Sequence, residues 1–430
     1  MLSSVPNSQW FIASVSAPVL FNRGTEETWY LLPVRRYVLN ARHVDKIGCI
    51  DTLSELPGSA HYRPLQAGRP LTGKRIFVER FRDRGLGDLL FLTGPFAFMH
   101  HVTGGEIRIH VYAFSDRGQA LHNSPYLEHG TVYVGPTHYD DFQHYDYQWL
   151  VNSVTESNEE ADQLNVYDAL FAQLGLPPEQ IEPRFKRPHI QISEPEIKDL
   201  HALFHSLWSE RKFDLRRGYY VLAPLTHSAL RSAPYTLWLE LAQELTKRGR
   251  PILFIGKTDV PLPDLDICAG EFLAKVEELA QHPNIVSLFS DAKHPVPLRL
   301  VMALISNASG LIGLDSGPLY IAQGCRVPAI SLWGPHDPGV RIGYDPEYMD
   351  LAVWNQEFCA QSPCFAYSRF PVRKCPLHEN QKICHCLSTV TTEDVLKKVD
   401  RLEALRLNNL NLFKVKSHAN RTPTPANSTA

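Results

Sequence analysis

Hydrophobic positions change their rhythm twice along this chain. In the first stretch, Trp29-Tyr30-Leu31-Leu32-Pro33-Val34 and Arg36-Tyr37-Val38-Leu39 are short apolar runs with no long helical period around them. They predict a small β-rich extension over residues 1–70. From Arg75 onward, short apolar runs alternate with helical periods. Ile76-Phe77-Val78 predicts a strand, Asp88 to Met99 a helix, and Ile107-Arg108-Ile109-His110-Val111 a strand. A second alternating block opens near Tyr219. Tyr220-Val221-Leu222-Ala223 reads as a strand, and Thr236 to Lys247 as a helix with Leu237, Leu241 and Leu245 on one face. Strands come next at Ile252–Ile255, Ile285–Phe289, Leu311–Leu314 and Ala329–Leu332, with a helix over Leu298–Ile305.

Such alternation implies βαβ units on parallel sheets. Pro177-Pro178 and Glu182-Pro183-Arg184-Phe185-Lys186-Arg187-Pro188 read as a linker between the two blocks. The expected organisation is an α/β chain with a β-rich extension (1–70) and two Rossmann-like doubly wound domains (71–190 and 191–355). After them come a cysteine-rich finger (356–390), a C-terminal helix (391–413) and a disordered polar tail (414–430). Two doubly wound domains joined by a linker would face a cleft, with ligands at the carboxyl ends of the strands.

Composition narrows the class. Of 430 residues, 44% are hydrophobic and 21% charged, as in an ordinary soluble globular protein. No run of about 18 apolar residues suggests a membrane span, and Met1-Leu2-Ser3-Ser4-Val5-Pro6-Asn7 lacks the basic stretch and apolar core of a secretory signal. A cytoplasmic location is therefore expected. The formal charge of −3 argues against non-specific nucleic-acid binding. Cys359, Cys364, Cys375, Cys384 and Cys386 crowd one segment, and in a reducing compartment such a cluster more often binds metal than forms disulfides. It holds enough thiolates for a tetrahedral site.

Three loops carry the candidate chemistry, each directly after an expected strand. Arg84-Gly85-Leu86-Gly87-Asp88 has two glycines for a tight turn and an acid at the start of a helix, where Asp is also a good N-cap. Its G-x-G lacks the third glycine of the dinucleotide fingerprint, Leu90 standing there. Thr226-His227-Ser228-Ala229-Leu230-Arg231 offers hydroxyls at Thr226 and Ser228 and a guanidinium at Arg231, which suit a phosphate. Asp315-Ser316-Gly317-Pro318 leads from an apolar strand into a helix, presenting backbone N–H groups and a positive dipole end suited to a diphosphate. Each loop alone reads equally well as a helix cap or a solvated turn, but all three at strand ends favour one shared cleft. Asp264-Leu265-Asp266 imitates the D-x-D of metal-dependent transferases, yet its Pro-rich surroundings predict a solvated turn.

These motifs, together with Leu332-Trp333-Gly334-Pro335-x-Asp337-Pro338, resemble the ADP-heptose heptosyltransferases of glycosyltransferase family 9 over about residues 72–407. The resemblance implies a GT-B fold and an inverting, metal-independent transfer. Residues 71–190 would receive the acceptor and 191–355 the nucleotide-diphosphate sugar, ADP-heptose. On that basis Asp88 is the catalytic base, with Gly85 and Gly87 shaping its loop. Thr226, Ser228, Arg231, Asp315, Ser316, Gly317, Pro318 and Tyr320 would bind the donor. The chain departs from the family at Tyr320, where His is frequent, and at Ser316, where Thr is. Ser362-Pro363-Cys364, Cys375-Pro376 and Cys386-Leu387 resemble the iron-binding finger of the autotransporter heptosyltransferase branch. By that likeness Cys359, Cys364, Cys375 and Cys386 hold a structural iron or zinc, with Cys384 as the alternative ligand. No cofactor is implied for the transfer itself. The expected acceptor is a hydroxyl of a glycan or a protein, and self-association is open. A modified nucleic-acid base as acceptor, a sugar-nucleotide epimerase, and a non-catalytic sugar-nucleotide-binding module are the alternatives.

Overall fold

The structure is a computed structural model. It describes residues 10–17, 19–22, 28–31, 33, 35–40, 44, 47, 49–55, 63–65, 68–80, 85–113, 116–134, 137–151, 163–211, 213, 218–364, 375, 377 and 384–408. The expected tail over 414–430 lies outside these residues, as does Arg84. The chain divides into two compact units. One comprises Met1–Glu196 with Gly339–Tyr344, the other Ile197–Pro338 with Asp345–Ala430.

In the first unit, strand β1 (Trp10–Val15) pairs antiparallel with β4 (Arg36–Asn40) and β5 (Ile50–Glu55), while β2 (Val19–Asn22) and β3 (Thr28–Leu31) form a separate hairpin. Side chains alternate across a strand, and β1 uses both faces. Phe11, Ala13 and Val15 pack with Tyr37, Leu39, Val44 and Ile47. Ile12 points the other way, into a cluster with Phe77, Phe142, Tyr145 and Leu150. Through Ile12, β1 therefore shares a core with the α/β segment next in the chain, and β9 (Thr137–His138) joins its sheet beside β4.

The second sheet of this unit has the order β10-β6-β7-β8, with every neighbouring pair parallel. Its strands are β6 (Arg75–Arg80), β7 (Arg108–Ala113), β8 (Leu127–Val134) and β10 (Tyr147–Val151). The chain winds from β6 to β8 in one direction and then returns to the other side of β6. Instead of one helix from Asp88 to Met99 there are two, Leu86–Phe91 and Thr93–Val102, with the break at Leu92. Pro95 accounts for it: a proline has no N–H to give the carbonyl four residues back, and its ring crowds that carbonyl.

The second unit carries one six-stranded parallel sheet in the order β13-β12-β11-β14-β15-β16. These strands are β11 (Tyr220–Ala223), β12 (Ile252–Lys257), β13 (Ile285–Ser290), β14 (Gly310–Leu314), β15 (Ala329–Trp333) and β16 (Ala352–Trp354). β11, β14 and β15 are buried at every position, which explains their unbroken apolar runs. Helix Tyr235–Lys247 lays Leu237, Trp238, Leu241 and Leu245 against Tyr220, Leu222 and Phe254. Side chains of this size contribute about 1.5–3 kcal/mol each on burial. Tyr235 stacks on Phe272 with ring centroids 4.4 Å apart.

Asp264 and Asp266 are exposed, as a solvated turn requires, and both also cap helices. Asp266 accepts hydrogen bonds from the amides of Tyr235 (2.7 Å) and Thr236 (3.1 Å) and caps helix Tyr235–Lys247 from a distant loop. Asp264 accepts from the Ala269 amide at 3.0 Å, at the start of the next helix. Partial burial disfavours the Asp266 carboxylate, but the bonds from Thr236 and Tyr235 outweigh it and hold its pKa below the ordinary value. Among the described residues no helix is long and apolar enough to cross a membrane.

Candidate functional site

The strand order of the second unit locates its site. From β11 the chain winds outward through β12 and β13, then jumps back to β14 on the other side of β11. Loops leaving adjacent strands on either side of such a reversal part from each other and open a crevice at their carboxyl ends. Here those loops are 224–234 after β11 and 315–317 after β14, and the loop after β15 adjoins them.

Asp315 is where they meet. Its backbone carbonyl accepts a hydrogen bond from Arg231 Nη1 at 3.3 Å. Tyr320 Oη donates to its Oδ1, and His336 Nδ1 lies 2.6 Å from its Oδ2. Asp315, Tyr320 and His336 are all buried, at 5%, 3% and 1% exposure. A carboxylate is kept in such a place only when it is paired. One residue thus ties together the loops after β11, β14 and β15.

Beside it, Ser316 is the N-cap of helix Gly317–Cys325 but makes no side-chain cap bond. Its Oγ is buried and without a hydrogen-bond partner among the described residues. Pro318 has no N–H, and the Leu319 amide turns back to the Ser316 carbonyl at 3.1 Å. The amide of Gly317 is one of the first-turn donors that a helix cannot satisfy by itself. An idle hydroxyl, a first-turn amide and the positive end of the helix dipole together suit an anion.

Thr226 and the Ser228 backbone also shape their own loop. Thr226 Oγ1 donates to the Ser228 carbonyl (2.9 Å), accepts from the Ser228 amide (3.1 Å) and touches Ser232 Oγ (3.1 Å). These bonds shape the 3-10 turn Ala229–Arg231 that delivers the guanidinium.

The loop after β15 is braced from behind. The Ser362 hydroxyl donates to the Gly334 carbonyl at 3.2 Å, and the Cys364 amide to the Pro335 carbonyl at 2.9 Å. A Cβ at Gly334 would come within 3.0 Å of Leu387 Cδ1, Cys384 Sγ and the Leu230 carbonyl, so glycine is needed for this close approach. The cysteine segment therefore packs directly on the candidate site.

All five clustered cysteines are buried. Cys359, Cys384 and Cys386 lie in one apolar cluster with Leu387. Burial pushes the Cys359 thiol up, and the hydrogen bond with Cys384, then burial, pushes the Cys386 thiol further. Cys384 thus sits with Cys359 and Cys386, the position the sequence gives only as an alternative. Among the described residues no group of three or more His, Cys, Asp or Glu side chains is arranged to hold a metal. Residues 365–374, 376 and 378–383 of the finger lie outside the described residues.

In the first unit, Asp88 is not an N-cap. Gly85 holds that position, and Asp88 stands three residues later, in the first turn of helix Leu86–Phe91 and partly exposed. Its carboxylate folds back over Gly85: a Cβ there would lie 2.5 Å from Asp88 Oδ2. Gly87 is buried in the same turn. Behind the helix, Arg341 from the returning segment Gly339–Tyr344 stacks over the Phe91 ring at 6.0 Å. That segment is pinned by Asn165 Nδ2 to the Gly339 carbonyl (2.9 Å) and by Tyr344 Oη to Asp168 Oδ2 (2.7 Å). His336 and Arg341 are the residues that sequence reasoning missed. The signal for His336 was present: it fills the unspecified position of the Gly334-Pro335-x-Asp337 motif.

The sequence matches the family model of glycosyltransferase family 9 (heptosyltransferase) over residues 136–368, more than half of the chain. Asp88 and its loop precede that stretch. No curated protein sequence matches the chain. Among solved structures it is similar to the iron-containing dodecameric glycosyltransferase TibC of enterotoxigenic E. coli H10407, at 15% identity and a TM-score of 0.53, over 93% of this chain and 92% of that one. TibC in complex with ADP-D-beta-D-heptose gives 15% and 0.52 over the same shares. E. coli ADP-heptose lps heptosyltransferase II gives 14% and 0.53, over 77% of this chain and 99% of that one. At these identities the likeness is one of fold, and it is the GT-B-like α/β fold.

Proposed function

The chain belongs to glycosyltransferase family 9 and is a glycosyltransferase, and from that footing we propose that it moves a heptose from ADP-heptose to a hydroxyl of a glycan or a protein, with inversion. The observation that carries the donor half is the meeting of three loops on Asp315 beside a helix N-terminus whose Ser316 hydroxyl has no partner among the described residues. TibC, solved in complex with ADP-D-beta-D-heptose, supports the choice of nucleotide sugar.

In this mechanism the diphosphate rests on Gly317, Ser316 and Arg231. As the bond from the anomeric carbon to the diphosphate breaks, negative charge grows on the leaving oxygen. A fixed guanidinium and helix dipole stabilise that charge more in the transition state than in the ground state. Asp315 and Tyr320 shape the pocket wall, and Thr226 and Ser228 hold Arg231 in place. Asp88 accepts the proton of the attacking hydroxyl as the new bond forms on the opposite face of the sugar.

The cysteine segment is part of the same proposal. Its thiol donors suit iron or zinc, and TibC is iron-containing. Cys359, Cys364, Cys375 and Cys386, or Cys384 in place of one of them, would hold the ion. When bound, it would cross-link the segment that braces Gly334 and Pro335. Elemental analysis of purified protein showing neither iron nor zinc would end this part.

The transfer itself is tested by intact-mass detection of sugar addition after incubating the protein with a panel of nucleotide sugars and candidate glycan and protein acceptors. A heptose increment with ADP-heptose alone is expected. Transfer from another nucleotide sugar only would replace the donor, and ADP-heptose turnover without any acceptor would indicate an epimerase or hydrolase.

A further inference from the structure

Asp315 poses an electrostatic problem for a diphosphate site. It is a buried carboxylate one residue ahead of the Ser316 N-cap, and a second negative group beside a buried carboxylate is disfavoured. Tyr320, on Oδ1, is a phenol and brings no positive charge at neutral pH. His336, on Oδ2 at 2.6 Å, can bring one. It is almost wholly buried, and the loop that carries it is fixed through the Gly334 and Pro335 carbonyls. A histidine delivered so rigidly to a carboxylate is a designed contact, and Trp333 and Ser331 just before it are buried and bonded to each other at 2.7 Å.

We infer that His336 is a positioning residue of the donor site: it turns the Asp315 carboxylate away from the diphosphate and offsets its charge, so that Arg231, Ser316 and Gly317 present a net positive face. The assignment rests on the donor reading above. It gives the pair Asp315–His336 a neutral sum, and leaves Arg231 and the helix dipole to meet the diphosphate. It also links two motifs that are separate in sequence, since this imidazole brings the loop after β15 to Asp315.

Calorimetric titration of the full-length protein with ADP tests it, using His336→Asn, Asp315→Asn and the double variant, each checked by thermal melting. His336→Asn should weaken ADP binding about tenfold, because it leaves the carboxylate charged and unoffset. The double variant should bind within about threefold of wild type, since removing the charge removes the need for its partner. Wild-type affinity in His336→Asn would overturn the inference, as would a folded double variant no better than His336→Asn. Should His336→Asn fail to fold, Asp315→Asn and the double variant are compared with each other: equal affinities support the assignment, and a tenfold gap overturns it. Wild-type protein that binds no ADP would overturn the donor reading and the inference together, a result distinct from either of these.

Discussion

Asp88 and Asp315 each stand where a parallel strand gives way to a helix, and the fold treats them in opposite ways. Asp315 is buried, with one carboxylate oxygen on Tyr320, the other on His336 and its carbonyl on Arg231. Asp88 is partly exposed, in the first turn of a six-residue helix, with its carboxylate resting over the bare Cα of Gly85. A carboxylate held on both oxygens, by Tyr320 and His336, organises a pocket but has little capacity left for proton transfer. The proposed base is the partly exposed one, in the first turn of its helix. On the proposed mechanism the same residue type in the same topological place thus serves architecture in one unit and chemistry in the other.

Exchanging the two aspartates in turn should break that contrast most sharply. Asp88→Asn should lower the rate of transfer by roughly 10²–10⁴-fold, while ADP affinity and melting temperature stay at wild-type values; loss of ADP binding would refute the division of labour. Asp315→Ala should act on the fold. Removing one partner of a buried pair strands the other, and a loss of about 3 kcal/mol in denaturant unfolding is expected. An unchanged unfolding midpoint would mean that Asp315 ties nothing together.

Smaller changes sharpen the comparison. Arg231→Ala should weaken ADP binding about tenfold, as expected for one charge-assisted bond, with the melting temperature almost unmoved. Gly85→Ala should leave stability within about 1 kcal/mol, because its φ of −102° suits any residue and the clash is with a movable side chain. It should nevertheless slow transfer roughly tenfold by displacing the Asp88 carboxylate. Equal activity in this variant would show that the carboxylate position is unimportant. The smallest effect is expected at Asp266→Ala, about 1 kcal/mol for a lost helix cap. Since the Asp266 pKa is lowered from 3.8, its contribution is fully present above pH 3.8 and lost as the pH falls through the lowered value. Urea titrations at stepped acid pH should show the difference between wild type and variant shrinking there.

The parallel strands were legible because burial on both faces leaves uninterrupted apolar runs, as in Tyr220–Ala223 and Leu311–Leu314. Periodicity likewise revealed helix Tyr235–Lys247, off by one residue at its start. Local sequence showed that Asp315-Ser316-Gly317 opens a helix at a strand end, but not that His336 would come to its carboxylate. That contact depends on the pairing of β14 with β15 and on a brace from residues 362 and 364. The break at Leu92 was written in Pro95 but masked by the apolar period running through it. The capping role of exposed Asp266 was hidden because its partners, Tyr235 and Thr236, lie about thirty residues earlier. Short-range pattern carries strands and helix starts; the long-range partner of a polar side chain is decided by the sheet order.

Hydrogen–deuterium exchange with and without ADP tests the central contrast most directly, because it reads both aspartate loops in one protein without mutation. The account predicts that ADP slows exchange in peptides covering 226–234 and 315–320 and leaves the peptide covering Leu86–Phe91 unchanged. Protection confined to Leu86–Phe91, or none at 315–320, would contradict it.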